Sequence, residues 1–386
     1  MPKHIAILGS TGSIGRNALR VIKALGPDYR VTALSAHNNF ELLAAQAHEF
    51  RPAFVALTSQ ENEARLRNAL SDFDVEILIG PQSLVQLAQL NEVDIVLTAV
   101  VGAAGLDAVL AAAQKGKTLA IANKEPLVIA GELLTKTAAK NDATILPVDS
   151  EHSAVFQAMQ AGSPEEVNKI ILTASGGPFR NATRQQIEDA TIEDALAHPT
   201  WDMGPKITID SATMMNKALE VIEAHWLFNM PVEKIDVMIH PESIVHSFVE
   251  FIDGSIIAQL GTPDMCLPIQ YALTYPRRLA GAAKHLKLEE LGKLTFAKPD
   301  LHTFRALALG FEVARTGGSA PVVFNAANEA AVQKFLAGHI KFSAIVELIE
   351  HCLNKHTVCS NVSLDELLKA DAWARKEVIE CLKQKV

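Results

Sequence analysis

The chain has 386 residues, with 35 Lys and Arg against 44 Asp and Glu for a net charge of −9; 49% of its residues are hydrophobic and 20% charged. That length exceeds one ordinary core and predicts two or three domains, and the composition is that of a folded chain and not a disordered one. The acidic surplus excludes a general binder of nucleic-acid backbones, which needs Lys and Arg in excess, so any phosphate must be gripped locally.

A strand-like run, His4-Ile-Ala-Ile-Leu-Gly9, opens the sequence and is expected to leave no room for a leader peptide. Further strands are predicted at Arg30-Leu34, Phe54-Leu57, Glu76-Ile79, Ile95-Thr98, Thr118-Ala122 and Thr144-Pro147, separated by Ala/Leu/Gln stretches of helical period. This alternation predicts an α/β domain with a mostly parallel sheet over residues 1–148. Its most apolar stretch, Ala99 to Ala113, is interrupted by Gly102, Gly105 and Asp107 and is too short to span a bilayer, so no membrane partner is expected. Past it the pattern changes. Strands are predicted at Lys169-Thr173, Val237-Ile239, Ser247-Phe251 and Ser255-Leu260, the last two joined by a hairpin at Asp253-Gly254, which predicts a central α+β domain over 149–275. A Pro-, Gly- and charge-rich linker over 276–299 and a small helical domain over 300–386 complete the expected organisation. The four cysteines, Cys266, Cys352, Cys359 and Cys381, form no C-x-x-C pair, which argues against a zinc site or a disulfide framework and fits a reducing cytoplasm.

Gly9-Ser-Thr-Gly12-Ser-Ile-Gly15 lies between a predicted strand and a predicted helix, where glycines allow a tight turn and let a pyrophosphate approach backbone N–H groups. The spacing is G-x-x-G-x-x-G and not the commoner G-x-G-x-x-G, but its position favours a dinucleotide site over a plain β-α turn. After the second strand, where an acid would select NAD, the chain reads Ser35-Ala-His-Asn-Asn39. The missing acid admits a 2′-phosphate that His37, Asn38 or Asn39 can hydrogen-bond, which favours NADP over NAD; all three are also ordinary loop formers.

Asp149-Ser150-Glu151 follows the last strand of the first domain, at the sheet end where ligands gather. Read as an extended segment, it points both carboxylates toward one ion; read as a helix start, Asp149 or Ser150 is a cap. Asn216 and Glu220 stand at i and i+4 with Lys217 beside them, on a helix expected to start at Asp210, as a cation-binding face or a solvated one. Oxygen-only ligands suit Mg²⁺ or Mn²⁺. Ser175-Gly176-Gly177 offers a hydroxyl and N–H groups to an anion, or is only a turn. His198 and Trp201 flank Pro199 in a loop that reads as a lid over a polar substrate or as ordinary packing. Lys124, in Asn123-Lys124-Glu125, either reaches the strand-end crevice or decorates a helix start.

In order and wording these segments resemble the 1-deoxy-D-xylulose 5-phosphate reductoisomerase family. The match covers Gly9-Ser-Thr-Gly-Ser-Ile-Gly15, Ala122-Asn-Lys-Glu125, Pro147-Val-Asp-Ser-Glu-His-Ser153, Ser175-Gly-Gly-Pro-Phe-Arg180, His198-Pro-Thr-Trp201, Asp210-Ser-Ala-Thr-Met-Met-Asn-Lys217, His240-Pro241 and Phe324-Asn-Ala-Ala-Asn-Glu329. The resemblance implies a Rossmann-like first domain and NADPH-dependent conversion of 1-deoxy-D-xylulose 5-phosphate to 2-C-methyl-D-erythritol 4-phosphate in non-mevalonate isoprenoid synthesis. It implies that Asp149, Glu151 and Glu220 hold Mg²⁺ or Mn²⁺, and that Lys124, Glu151 and His198 are catalytic. Ser150 and Lys124 would meet the sugar near the metal. Ser175, Ser211, Asn216 and Lys217 would take its phosphate beside His198, and Trp201 and Met203 would belong to a closing loop. The cofactor would lie against Thr11, Gly12, Ser13, Ile14, His37, Asn38, Asn39, Asn123 and Gly204. A homodimer is implied as well. The chain departs from the family at His37 and Asn38, where members often carry Gly and Lys, and at Pro126, which replaces a small hydroxyl residue.

Two other readings compete. A semialdehyde dehydrogenase would need no metal but would need a reactive cysteine, and the one cysteine before Cys352 is Cys266, in an unremarkable context. A non-catalytic dinucleotide sensor would have no use for the acidic cluster.

Overall fold

In the computed structural model, which describes residues 2–201 and 203–384, the apolar runs as far as Pro147 become seven strands: β1 Lys3–Leu8, β2 Tyr29–Ala36, β3 Phe54–Leu57, β4 Glu76–Ile79, β5 Ile95–Thr98, β6 Thr118–Ile121 and β7 Thr144–Pro147. All pair in parallel, in the order β4-β3-β2-β1-β5-β6-β7. Ile5, Ala6, Ile7 and Leu8 are completely buried, as expected of a central strand covered on both faces, where each large aliphatic side chain contributes about 1.5–3 kcal/mol. The helices between the strands are α1 Ser13–Leu25, α2 Phe40–Phe50, α3 Glu63–Ala69, α4 Ser83–Gln89, α5 Leu106–Gln114 and α6 Glu125–Lys140; α7 Ser150–Ala158 follows β7. Strand order reverses between β1 and β5, which puts a binding crevice at their carboxyl ends. The glycine turn lies at that point.

The second sheet has the order β11-β10-β8-β9, built from β8 Val167–Ala174, β9 Ile235–Ile239, β10 Val245–Phe251 and β11 Ile256–Leu260. β10 and β11 form the hairpin predicted at Asp253-Gly254, with Gly254 at φ +85°. Between β8 and β9 lie α8 Arg184–Glu188, α9 Ile192–Leu196, α10 Pro205–Ala212 and α11 Met215–Leu227. After β11 come α12 Cys266–Thr274, α13 Arg305–Thr316, α14 Ala320–Leu336, α15 Ala344–Lys355 and α16 Leu364–Gln384.

These elements form two compact units that interleave along the chain, whereas the expected domains run consecutively. Unit 1 comprises residues 1–126, 134–153 and 264–285, and unit 2 comprises 127–133, 154–263 and 286–386. The segment expected to close the central domain and begin a linker belongs to unit 1 because α12 packs on α1, where Arg20 pairs with Asp264 at 3.2 Å and donates to Cys266 Sγ. Helices α13 to α16 group with the second sheet and not as a separate domain. One cause is close helix contact: a Cβ on Gly310 of α13 would stand 2.5 Å from that of Ala218 on α11.

Candidate active site

In unit 1 the glycine turn is dictated by sterics. Gly9 has φ +90°, and a Cβ there would stand 2.6 Å from the Ala99 carbonyl oxygen; one on Gly15 would stand 2.3 Å from the Gly9 oxygen. Gly12 is different: its φ is −74°, and a Cβ would meet only the Gly9 oxygen at 3.5 Å. The protein leaves that space open. Helix α1 has no side-chain cap and no acid in its first turn, so its positive end can receive a pyrophosphate beside Thr11, Ser13 and Ile14. Ser35 at the end of β2 ties the turn down, its Oγ accepting from Gly9 N–H at 2.9 Å.

His37, Asn38 and Asn39 lie exposed just past β2. His37 Nδ1 is 2.8 Å from Thr58 Oγ1, and Asn39 Oδ1 caps α2 by accepting from Leu42 N–H at 3.1 Å. Asn123 sits beyond β6, where its Oδ1 accepts from Thr98 Oγ1 at 2.9 Å. Its Nδ2 is buried and makes no hydrogen bond among the described residues, so a donor stands ready for a polar group of a bound cofactor. The residues present thus fit a dinucleotide.

The acidic cluster departs from the extended geometry considered above. Asp149 stands at the entrance of α7 and Ser150 and Glu151 lie in its first turn, so the two carboxylates are not strand neighbours. Asp149 Oδ1 accepts from the N–H groups of Glu151 and His152 at 3.1 and 3.3 Å, while its Oδ2 pairs with Lys124 Nζ at 2.5 Å. Cap and charge site are the same residue. Ser150 Oγ donates to Glu151 Oε2 at 2.9 Å. His152, which carried no role in the motif, is fully buried with Nδ1 3.6 Å from Asp149 Oδ1; its i+3 spacing from Asp149 was the available signal. The carboxylates of Asp149 and Glu151, with the Ser150 hydroxyl beside them, offer oxygen donors that suit a hard divalent cation.

In unit 2 the segment expected as one helix from Asp210 is two. α10 ends at Ala212, Met214 takes a left-handed conformation at φ +63°, and α11 begins at Met215. Asn216, Lys217 and Glu220 do share a face of α11. Asn216 Nδ2 donates to Glu220 Oε1 at 2.7 Å and Lys217 Nζ donates to Glu220 Oε2. The face is not solvated, since Lys217 is 4% and Glu220 0% exposed. Charges are rarely buried unless function or pairing requires it. α11 has no side-chain cap and no acid in its first turn, which suits an anion held by Asn216 and Lys217.

The two glycines after Ser175 bring its turn against Ser211: both have positive φ, and a Cβ on Gly177 would lie 2.6 Å from the Ser211 oxygen. His198 Nδ1 accepts from the N–H groups of Thr200 and Trp201 at 3.2 and 2.9 Å. Backbone N–H groups only donate, so the neutral ring carries its proton on Nε2 and donates to Ser175 Oγ at 3.1 Å. Gly177 N–H donates to the same Oγ at 3.2 Å, which leaves the Ser175 O–H for an anion. Burial, and then the charge of Arg180, lower the His198 pKa from its ordinary 6.5. A depressed folded value means that the neutral ring's contribution to stability is complete above pH 6.5 and is lost as pH falls through the folded midpoint. Imidazole NMR should therefore show a midpoint below 6.5, with the Thr200 and Trp201 amides losing protection on acidification; a midpoint at or above 6.5 would contradict this arrangement. Trp201 is half-buried, and Gly204 is exposed at the N-cap of α10.

Three family models match the chain. One described as 1-deoxy-D-xylulose 5-phosphate reductoisomerase covers residues 5–131, its C-terminal domain covers 145–228, and a DXP reductoisomerase C-terminal domain covers 260–377. The 1-deoxy-D-xylulose 5-phosphate reductoisomerase of Halothermothrix orenii is 48% identical over 380 residues, 98% of this chain and 99% of that one. That of Symbiobacterium thermophilum is 52% identical over 379 residues, 97% of each.

The chain belongs to the 1-deoxy-D-xylulose 5-phosphate reductoisomerase family.

Solved reductoisomerases share its fold. The Zymomonas mobilis enzyme, in complex with NADPH, matches with a TM-score of 0.92 and 41% identity over 99% of both chains. A reductoisomerase in complex with NADPH, fosmidomycin and magnesium matches with a TM-score of 0.93 and 43% identity over 99% of this chain and 98% of that one. The Rossmann-like sheet is thus the family's. Cys266, the cysteine considered for the competing semialdehyde dehydrogenase, is buried, and burial raises its thiol pKa, opposite to what a reactive thiolate requires.

Proposed function

We infer that the chain catalyses the NADPH- and divalent-metal-dependent rearrangement and reduction of 1-deoxy-D-xylulose 5-phosphate to 2-C-methyl-D-erythritol 4-phosphate. Family membership along nearly the whole length carries this reading.

Asp149, Glu151 and Glu220 hold the divalent ion, Mg²⁺ or Mn²⁺. Ser175, Ser211, Asn216 and Lys217, with His198, take the sugar phosphate, and binding that remote group orients the reacting carbons. Lys124, already paired with Asp149, offsets part of the surplus charge of three carboxylates and stands with Ser150 and Glu151 at the reacting end. Amides at the start of α1 take the cofactor pyrophosphate, with Thr11, Gly12, Ser13 and Ile14 lining the turn, Asn123 and Gly204 nearby, and His37, Asn38 and Asn39 toward the 2′-phosphate. When bound, the cation supplies Lewis-acid polarisation of the ketone and NADPH supplies the hydride. The loop holding Trp201 and Met203 excludes water, so that fragments formed by C3–C4 cleavage recombine before reduction. Purified protein should oxidise NADPH only when 1-deoxy-D-xylulose 5-phosphate and Mg²⁺ or Mn²⁺ are both present, and more slowly with NADH in its place. Activity that persists in excess chelator sinks the metal-dependent reading.

The working form is a cytoplasmic homodimer. Four free cysteines support a reducing compartment, and no described helix is long and apolar enough to cross a membrane. β11 is an edge strand carrying Ile256 at 53% exposure, with Ile257, Leu260 and the hairpin residue Ile252 also exposed. An apolar edge of this kind needs a partner. Ile256→Lys should shift the mass measured by light scattering from dimer to monomer; an unchanged mass removes this edge from the interface.

A further inference from the structure

Helix α14 is buried along nearly its whole length by apolar residues, among them Val322, Val323, Phe324, Ala327 and Val332, yet it also buries two amides, Asn325 and Asn328, at 0% exposure. A buried amide is costly unless its hydrogen bonds are used. Asn328 Nδ2 donates to Asp210 Oδ1 at 2.9 Å, across 118 residues of sequence. Asp210 is itself buried, and its Oδ2 pairs with Lys206 Nζ, one helical turn earlier, at 2.6 Å. α14 is also anchored to α16: within α14 Asn325 donates to Glu329 Oε1 at 2.9 Å, and Arg375 of α16 bridges Glu329 Oε2 to Asp371 at 2.7 Å each.

Asp210 lies directly before Ser211, whose carbonyl is the surface on which Gly177 closes the Ser175 turn. Thr213 Oγ1 then braces the next step, donating to the carbonyls of Ile209 and Asp210 within a range of 3.1 to 3.2 Å and accepting from Met215 N–H at 3.3 Å. Met214 makes its left-handed turn there and starts α11 with Asn216 and Lys217. Lys206 and Thr213 brace this segment from within. Asn328 ties it to the rest of the unit.

We propose that Asn328 is a positioning residue for the phosphate cradle: by holding Asp210 it sets the end of α10, and with it Ser211 and the step that presents Asn216 and Lys217. The proposal rests on the assignment of those residues to the substrate phosphate. Asn328→Leu keeps the branched shape at a larger volume and removes the donor, so KM for 1-deoxy-D-xylulose 5-phosphate should rise about tenfold or more, and the inhibition constant of inorganic phosphate should rise with it. kcat should stay within about threefold and NADPH affinity within about twofold of wild type, because binding and not chemistry is impaired. Asn328→Ser, which keeps a short donor and a milder change of volume, should shift both constants in the same direction by less, and stands in for the leucine variant if that one does not fold. A lower melting temperature with unchanged KM and unchanged phosphate inhibition, in whichever variant folds, overturns the proposal and leaves Asn328 a core residue. Failure of the wild-type enzyme to turn over the sugar phosphate would instead sink the functional assignment.

Discussion

Glu220→Gln should lower kcat/KM by at least about a thousandfold while leaving NADPH affinity within about twofold of wild type. Glu220 is completely buried and receives hydrogen bonds from both Asn216 and Lys217. The substitution keeps size and shape but deletes the charge, replacing an acceptor by an amide that must present a donor to Lys217 or to Asn216. If the carboxylate's task is to hold a cation at the reacting carbonyl, the loss falls on the transition state. Weakening the buried pair with Lys217 also costs stability, so melting must be followed in parallel. The proposed cofactor residues other than Gly204 belong to unit 1 and Glu220 to unit 2, which is why NADPH binding should survive. A folded variant that binds NADPH and turns over normally would remove Glu220 from the metal site.

A paired substitution in the glycine turn should separate damage to the protein from damage to the ligand site. Gly15→Ala puts a methyl 2.3 Å from the Gly9 oxygen and 2.5 Å from Ser10 Cα, both backbone atoms with no side chain to move aside. The turn must open, so NADPH affinity should fall about a hundredfold, equivalent to about 2.8 kcal/mol, together with the melting temperature. Gly12→Ala meets only ordinary contact within the protein. It should keep the melting temperature and still lose NADPH affinity, because its methyl occupies the space left for the pyrophosphate. Titration of NADPH fluorescence alongside thermal melting gives both numbers. Unchanged affinity in the Gly12 variant would place the pyrophosphate elsewhere.

Local devices are legible in the sequence. Strands β3, β4, β5 and β7 lie at the predicted residues, because an apolar run between turn signals carries its own register. The hairpin at Asp253-Gly254 and the uncapped helix start after Gly12 are equally local. The choice between cap and charge site at Asp149 could not be read, since the residue serves as both and the second function depends on Lys124, 25 residues earlier. The continuous helix expected from Asp210 fails for a similar reason: neither Met nor its neighbours advertise the left-handed turn at Met214.

By itself the sequence determined the β-α alternation, the glycine turn and the order of chemical groups along the chain, all of which follow from backbone preferences and side chains a few residues apart. Only the tertiary structure decided that Lys217 and Glu220 are buried, that residues 264–285 return to the first sheet, and that Asn328 reaches Asp210. Each of these depends on which surfaces meet after folding. Burial and hydrogen-bond partnership belong to the packed pair, and no short stretch of sequence contains both members.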